Sequence, residues 1–118
     1  MQIFDLYGFK TSDLNVARSS VEKALNIKMK PCSGLSNGNY YRCGFSFDGE
    51  HFVLQQNIDF TDKEIDPMLL PMEPNFPEYP VIFYVNFTQR SNEIKQMLTK
   101  DSSWFLLRHS ELPDRISK

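Results

Sequence analysis

From Ile3 to Phe9 the chain alternates, with Ile3, Asp5, Tyr7 and Phe9 on one side and Phe4, Leu6 and Gly8 on the other. This pattern and the β-branched and aromatic content predict a first strand. Leu14, Ala17, Val21, Ala24 and Leu25 then recur at steps of three and four, which lays one apolar stripe along a helix ending near Leu25. Ser12 or Thr11 is placed to cap it, with Asp13 in the first turn near the positive end of the helix dipole. Asn26 suits a left-handed cap, because Asn tolerates positive φ. Residues 32–39 (CSGLSNGN) read as a flexible connection.

Asp48-Gly49 matches a two-residue type I′ turn between alternating runs and predicts a hairpin. A turn at that point sets Phe45 opposite Phe52, Cys43 opposite Leu54 and Tyr41 opposite Gln56. On the other face Ser46 meets His51, Arg42 meets Gln55 and Tyr40 meets Asn57. One face is apolar and the other polar, the sorting expected of a hairpin that forms one layer of a two-layer domain.

The character changes from 58 to 80. Asp59, Asp62, Glu64, Asp66, Glu73 and Glu78 stand against one base, Lys63, and five of the seven prolines fall here. Repeated Pro forbids a regular helix or a central strand through most of the stretch. Met68, Leu69, Leu70, Met72, Phe76 and Tyr79 nevertheless make it too apolar for a free linker, so an ordered loop pinned to the domain is expected. After it, the continuous apolar run from Val81 to Phe87 predicts a central strand buried on both faces. A shorter helix follows, capped by Thr88 or Ser91, with Glu93 in its first turn and Ile94, Met97 and Leu98 on its apolar side. Trp104 to Leu112 forms a last strand, and the polar residues after Pro113 are expected to fray. The order implies one α+β domain over 1–118, a two-layer sandwich in which a mostly antiparallel sheet of about five strands carries two helices.

Composition narrows the function. The chain has 118 residues and a net charge of −2, ordinary for one globular domain. Six acids against one base put −5 on residues 58–80, leaving +3 for everything else. No basic stripe marks a nucleic-acid surface. The longest apolar runs, Val81 to Val85 and Trp104 to Leu107, fall far short of the roughly 20 residues that a membrane-spanning helix needs. The opening residues resemble no secretory leader, and two cysteines, Cys32 and Cys43, read as reduced thiols, so the cytoplasm is the expected location.

Candidate chemistry is sparse. His51 and His109 are the only side chains that ordinarily titrate near neutrality, and a two-histidine nuclease would need both. A surface role accounts for each. No close-spaced ligand pair announces a metal, and the glycines fit no phosphate loop, so neither a metal nor a cofactor is read. Cys43 falls on the apolar face, whereas Cys32 has Lys28 and Lys30 nearby, a neighbourhood that can activate a thiol. The acidic loop remains the feature with most to offer, because clustered carboxylates steer a cationic partner while Met, Phe and Tyr anchors supply area.

Several segments together resemble small bacterial immunity proteins of polymorphic toxin and contact-dependent growth inhibition systems. They are Phe4-Asp5-Leu6-Tyr7-Gly8-Phe9, the helix ending Glu22-Lys23-Ala24-Leu25-Asn26-Ile27, the hairpin segments 39–44 and 49–57, Pro77-Glu78-Tyr79-Pro80-Val81 through Tyr84-Val85-Asn86, and Phe105-Leu106-Leu107-Arg108. Asn26 stands where such proteins usually carry Gly. The resemblance implies an antitoxin that is not an enzyme and that binds a cognate toxin C-terminal domain, here a basic nuclease, without contacting nucleic acid or membrane. The expected contact residues are Asp59, Asp62, Glu64, Asp66, Glu73 and Glu78, with the polar hairpin face of Tyr40, Arg42, His51, Gln55 and Asn57 as a second candidate. The alternative is a glyoxalase-like small-molecule binder or metal-dependent enzyme, in which His51 or His109 would be a ligand.

Overall fold

Val81, Phe83 and Val85 are fully buried on one face of the central strand, and Ile82 between them is equally buried on the other. A strand covered on both sides must lie inside a sheet with something packed on each face. The computed structural model, which describes residues 2–34, 38–44, 49–60, 71–100 and 102–112, has this architecture. Its elements are β1 (Gln2–Phe9), α1 (Leu14–Leu25), β2 (Lys30–Gly34), β3 (Gly38–Cys43), β4 (His51–Gln56), β5 (Val81–Thr88), α2 (Ser91–Leu98) and β6 (Trp104–Leu112). The six strands form one antiparallel sheet in the order β2-β3-β4-β5-β1-β6. The fold is the expected α+β class, with one strand beyond the five foreseen.

The extra strand is β2. Its last three residues, Cys32 to Gly34, were expected in a flexible connection, and all of its residues but Cys32 are exposed. Edge pairing with β3, from Lys30 opposite Arg42 to Gly34 opposite Gly38, makes it a strand although no apolar alternation marks it. Pro31 is tolerated because an edge strand can do without one ladder donor.

Both helices lie on one face. Ala17, Val21 and Leu25 of α1 and Ile94 and Leu98 of α2 join Tyr7, Phe9, Phe52, Leu54, Phe83 and Trp104 in a single apolar cluster. The Phe83 ring lies 5.6 Å from Phe52 and 5.8 Å from Trp104, and the Trp104 indole donates to the Ser20 hydroxyl on α1. Asp13, rather than Ser12 or Thr11, caps α1, its carboxylate accepting from the Asn15 and Val16 amides at 2.9 and 3.2 Å. Asn26 ends the helix with φ 55° and ψ 51°, the expected left-handed cap. Neither Thr88 nor Ser91 is the N-cap of α2. Arg90 holds that position without a side-chain cap, while the Thr88 hydroxyl accepts from the Arg90 amide.

The hairpin differs in register. Tyr41 faces Leu54 and Cys43 faces Phe52, two positions from the pairing that a turn at Asp48-Gly49 requires. Asp48 itself lies outside the described residues. A shift of two keeps each described side chain of the pair on its expected face, since a strand alternates with period two. Gly44 ends β3 with φ 89°, and a Cβ there would stand 2.7 Å from the Glu50 carbonyl oxygen, so glycine is needed at that close approach.

Candidate functional site

On the face of the sheet away from the helices lie residues 71–80, the described second part of the acidic segment, and Asn57 holds them in place. Its amide nitrogen donates to the carbonyls of Phe76 and Tyr79 at 2.9 and 3.0 Å, and its oxygen accepts from the Glu73 amide at 2.8 Å. Its backbone amide donates to the Pro80 carbonyl. A single buried side chain thus satisfies three backbone groups of a chain that proline keeps from forming a ladder of its own. Two glycines receive aromatic rings from the segment's described ends. Phe60 lies against Gly38 of β3 and Tyr79 against Gly8 of β1, each at a distance that a Cβ would violate. Tyr79 also packs against Phe105, and Lys10 reaches over both rings.

Glu73 locks the strap to the sheet. Its carboxylate accepts from the Tyr84 hydroxyl on β5 and pairs with Arg108 on β6 at 3.0 Å. Burial pushes this carboxyl up, but the hydrogen bonds from Arg108 and Tyr84 and the Arg108 charge outweigh it and hold Glu73 below the usual carboxylate range. Burial, then the hydrogen bond to Glu73 and its charge, raise the Tyr84 phenol. A bulge aims Arg108. The β1–β6 register shifts between Leu6 and Tyr7, so that Leu6 faces Arg108 and Tyr7 faces Leu106, and Leu107 is the extra residue.

The expected contact residues therefore separate. Glu78 is exposed on the strap, Asp59 is half-buried, and Glu73 is bound to the protein's own cation. Asp62, Glu64 and Asp66 lie outside the described residues. On the hairpin, Tyr40 and Arg42 are half-buried, whereas His51, Gln55 and Asn57 are buried. Asn57 is polar because it bonds the strap and His51 because it bonds Gly49 and Asn86, and all three, being buried, present little surface to a partner. Alternation marked that face as polar without showing whether water or protein lay over it.

The two histidines sit on opposite faces and in separate networks. His51 Nδ1 faces the Gly49 carbonyl at 3.1 Å, which makes it the donor, and Nε2 is left to accept from Asn86 at 3.2 Å. Beside it Phe87, with φ 57°, turns its ring onto Phe4 and His51, an unusual backbone for an aromatic residue at the irregular end of the β1–β5 ladder. His109 lies between Glu111 at 2.7 Å and the buried Asp5 at 2.6 Å, and Asp5 also accepts from Ser91 at the start of α2. The hydrogen bonds to Glu111 and then to Asp5 raise the His109 pKa. Its two nitrogens face opposite carboxylates, an arrangement that clamps β6 to β1. A third network joins Glu50 to Arg90 and Thr88, with the Arg90 hydrogen bond holding Glu50 low against burial.

Among the described residues no three His, Cys, Asp or Glu side chains converge as metal ligands, and no helix is long and apolar enough to cross a membrane. A small hollow of about 230 Å³ on the strap side is lined by Phe4, Leu6, Tyr84, Asn86 and Arg108. A larger cleft of about 360 Å³ opens at the β2 edge among Lys28, Lys30, Cys32, Arg42, Cys43 and Gly44. Cys32, placed by sequence in a loop, is thus on an edge strand, and burial, then the charges of Glu50 and Glu22, raise the Cys43 thiol. The Lys28 and Lys30 signal beside Cys32 was visible in the sequence, but Arg42 joins them only through the β2–β3 register. Compared with known proteins, the chain matches no family model and no curated protein significantly, so its functional reading rests on its own residues.

Proposed function

We propose that the protein is an immunity protein that binds a cationic, nuclease-type toxin domain and covers the cleft in which that domain holds its polyanionic substrate. The observation supporting this reading is the preorganised strap. Residues 71–80 of an acidic, proline-rich segment are held on the sheet by Asn57, Glu73 and Tyr79, with Pro74, Asn75, Pro77 and Glu78 exposed. A segment already ordered loses little conformational freedom on docking, so more of its contact energy appears as affinity. In this reading Glu73 belongs to the support. Glu78, with Asp62, Glu64 and Asp66 from the same acidic stretch, stands in for phosphate charges. The partner is expected among the products of neighbouring reading frames.

Co-purification with that product, followed by association kinetics at several salt concentrations, tests the proposal. Reversing Asp62, Glu64 and Asp66 to Lys is expected to slow association at least tenfold and to flatten its salt dependence, since opposite-charge steering raises on-rates by about 10- to 1,000-fold. Unchanged kinetics would reject the acidic mechanism, and failure of the neighbouring product to bind at all would reject the immunity reading.

A further inference from the structure

The cleft at the β2 edge brings three cations together. Lys30 and Arg42 are direct partners in the β2–β3 ladder, and Lys28 lines the same space. Directly opposed residues of an antiparallel pair carry their Cβ atoms roughly 5 Å apart, where like charges repel. No carboxylate among the described residues pairs with any of the three. Of the two acids whose charge reaches Cys43 in the cleft wall, Glu50 is paired with Arg90 and bonded by Thr88, while Glu22 accepts from the Met29 amide at 2.9 Å. Charge on an exposed edge strand discourages pairing with another chain, and a bound anion would turn the repulsion within this pair into an attraction.

We propose that this cleft binds a small phosphate-bearing ligand, its phosphate between Lys28, Lys30 and Arg42 and its organic part against Cys32, Cys43 and Gly44. Two compact ammonium groups and one guanidinium fork match the charge and the several acceptor oxygens of a phosphate dianion better than they match a single carboxylate. The volume of about 360 Å³ lies within the range of small-molecule pockets, with room beyond the phosphate itself. Cys32, on the same side of the sheet as Lys30 and Arg42, and Gly44 supply an uncharged wall. A nucleic acid fits less well, because the cations form one confined cluster rather than a stripe that tracks a backbone. The site lies at the sheet edge and is independent of the partner-binding reading.

Titration of the intact, isotope-labelled chain with phenyl phosphate, and separately with inorganic phosphate at constant ionic strength, tests the site by backbone amide shifts. Saturable shifts confined to the amides of Lys30, Cys32, Arg42 and Gly44 are expected, with phenyl phosphate binding more tightly than inorganic phosphate. Lys30→Gln and Arg42→Gln should each weaken binding on the order of tenfold, the loss of one charge-assisted contact. The unliganded Tm should stay the same or rise, since repulsion is relieved. Lys28→Gln, outside the ladder, should show the same loss if either strand variant fails to fold. Shifts that never saturate, that spread equally to Lys10, Lys23, Lys95 and Lys100, or that persist in the variants would overturn the site. Equal affinity for the two phosphates would overturn its organic half.

Discussion

On the helix side of the sheet, Phe83 packs with the rings of Tyr7, Phe52 and Trp104 inside one apolar cluster. One residue further along the same strand, Tyr84 faces the strap and is held by a carboxylate, which a guanidinium from another strand also grips. The two coverings exclude water by different means. The helices do it with area, which is non-directional and tolerant, whereas the strap uses a few hydrogen bonds whose donors and acceptors must all be present. The first covering is robust to chemistry and sensitive to volume, whereas the second is sensitive to chemistry throughout and to volume where Tyr79 and Phe60 lie on Gly8 and Gly38.

The largest effect should come from emptying the helix side. Phe83→Ala removes a fully buried ring from the middle of the aromatic cluster and is expected to cost about 3–5 kcal/mol, read from the urea midpoint. A loss below about 1 kcal/mol would mean that the cluster collapses around the gap and that the contrast between the faces is false. Asn57→Ala should cost less, about 1–3 kcal/mol, by stranding the Phe76 and Tyr79 carbonyls and the Glu73 amide. Its signature is local: hydrogen exchange should accelerate at Phe76 and Tyr79 while β1 and β5 stay protected. Asn57→Asp should fail to rescue, since it keeps the acceptor and loses both donor bonds. Uniform acceleration over the whole sheet would show that the strap is not a separate unit.

The smallest effect concerns the His109 clamp. Its folded pKa is raised by Glu111 and Asp5, so its stabilisation is fully present below the ordinary histidine value near 6.5 and is lost as pH rises through the higher folded value. A modest fall in stability on the alkaline side of 6.5, absent in His109→Gln, is expected from urea titrations at successive pH values. The group is more than one-third exposed, so solvent weakens the effect. Glu73 and Glu50 have the opposite sign. Their folded values are lowered, and their contribution is lost on acidification.

Legibility followed the same division. The stripe Ala17, Val21 and Leu25, the run from Val81, the last strand from Trp104 and the left-handed Asn26 were all readable, because apolar periodicity and backbone preference are properties of neighbouring residues. The β2 strand was not readable, since its residues become a strand only by pairing with β3. Nor was the burial of His51, Gln55 and Asn57. Their alternation said polar face, but the partners on it arrive from far along the chain, Tyr79 to Asn57 from 22 residues and Asn86 to His51 from 35. Arg42 was singled out with the polar hairpin face, yet its charge gains meaning from Lys30 across the ladder.

The amino-acid sequence by itself determined the α+β class, the elements with strong periodicity and the gathering of negative charge into one proline-rich stretch. Each of these follows from local composition and spacing. Tertiary structure alone decided which carboxylates remain outward, as Glu78 does, and which are consumed internally, as Glu73 is. It also decided that three cations meet at the β2 edge. Hydrogen bonds and charge pairs depend on distances of a few ångströms between residues far apart in the chain, and only the folded register sets those distances.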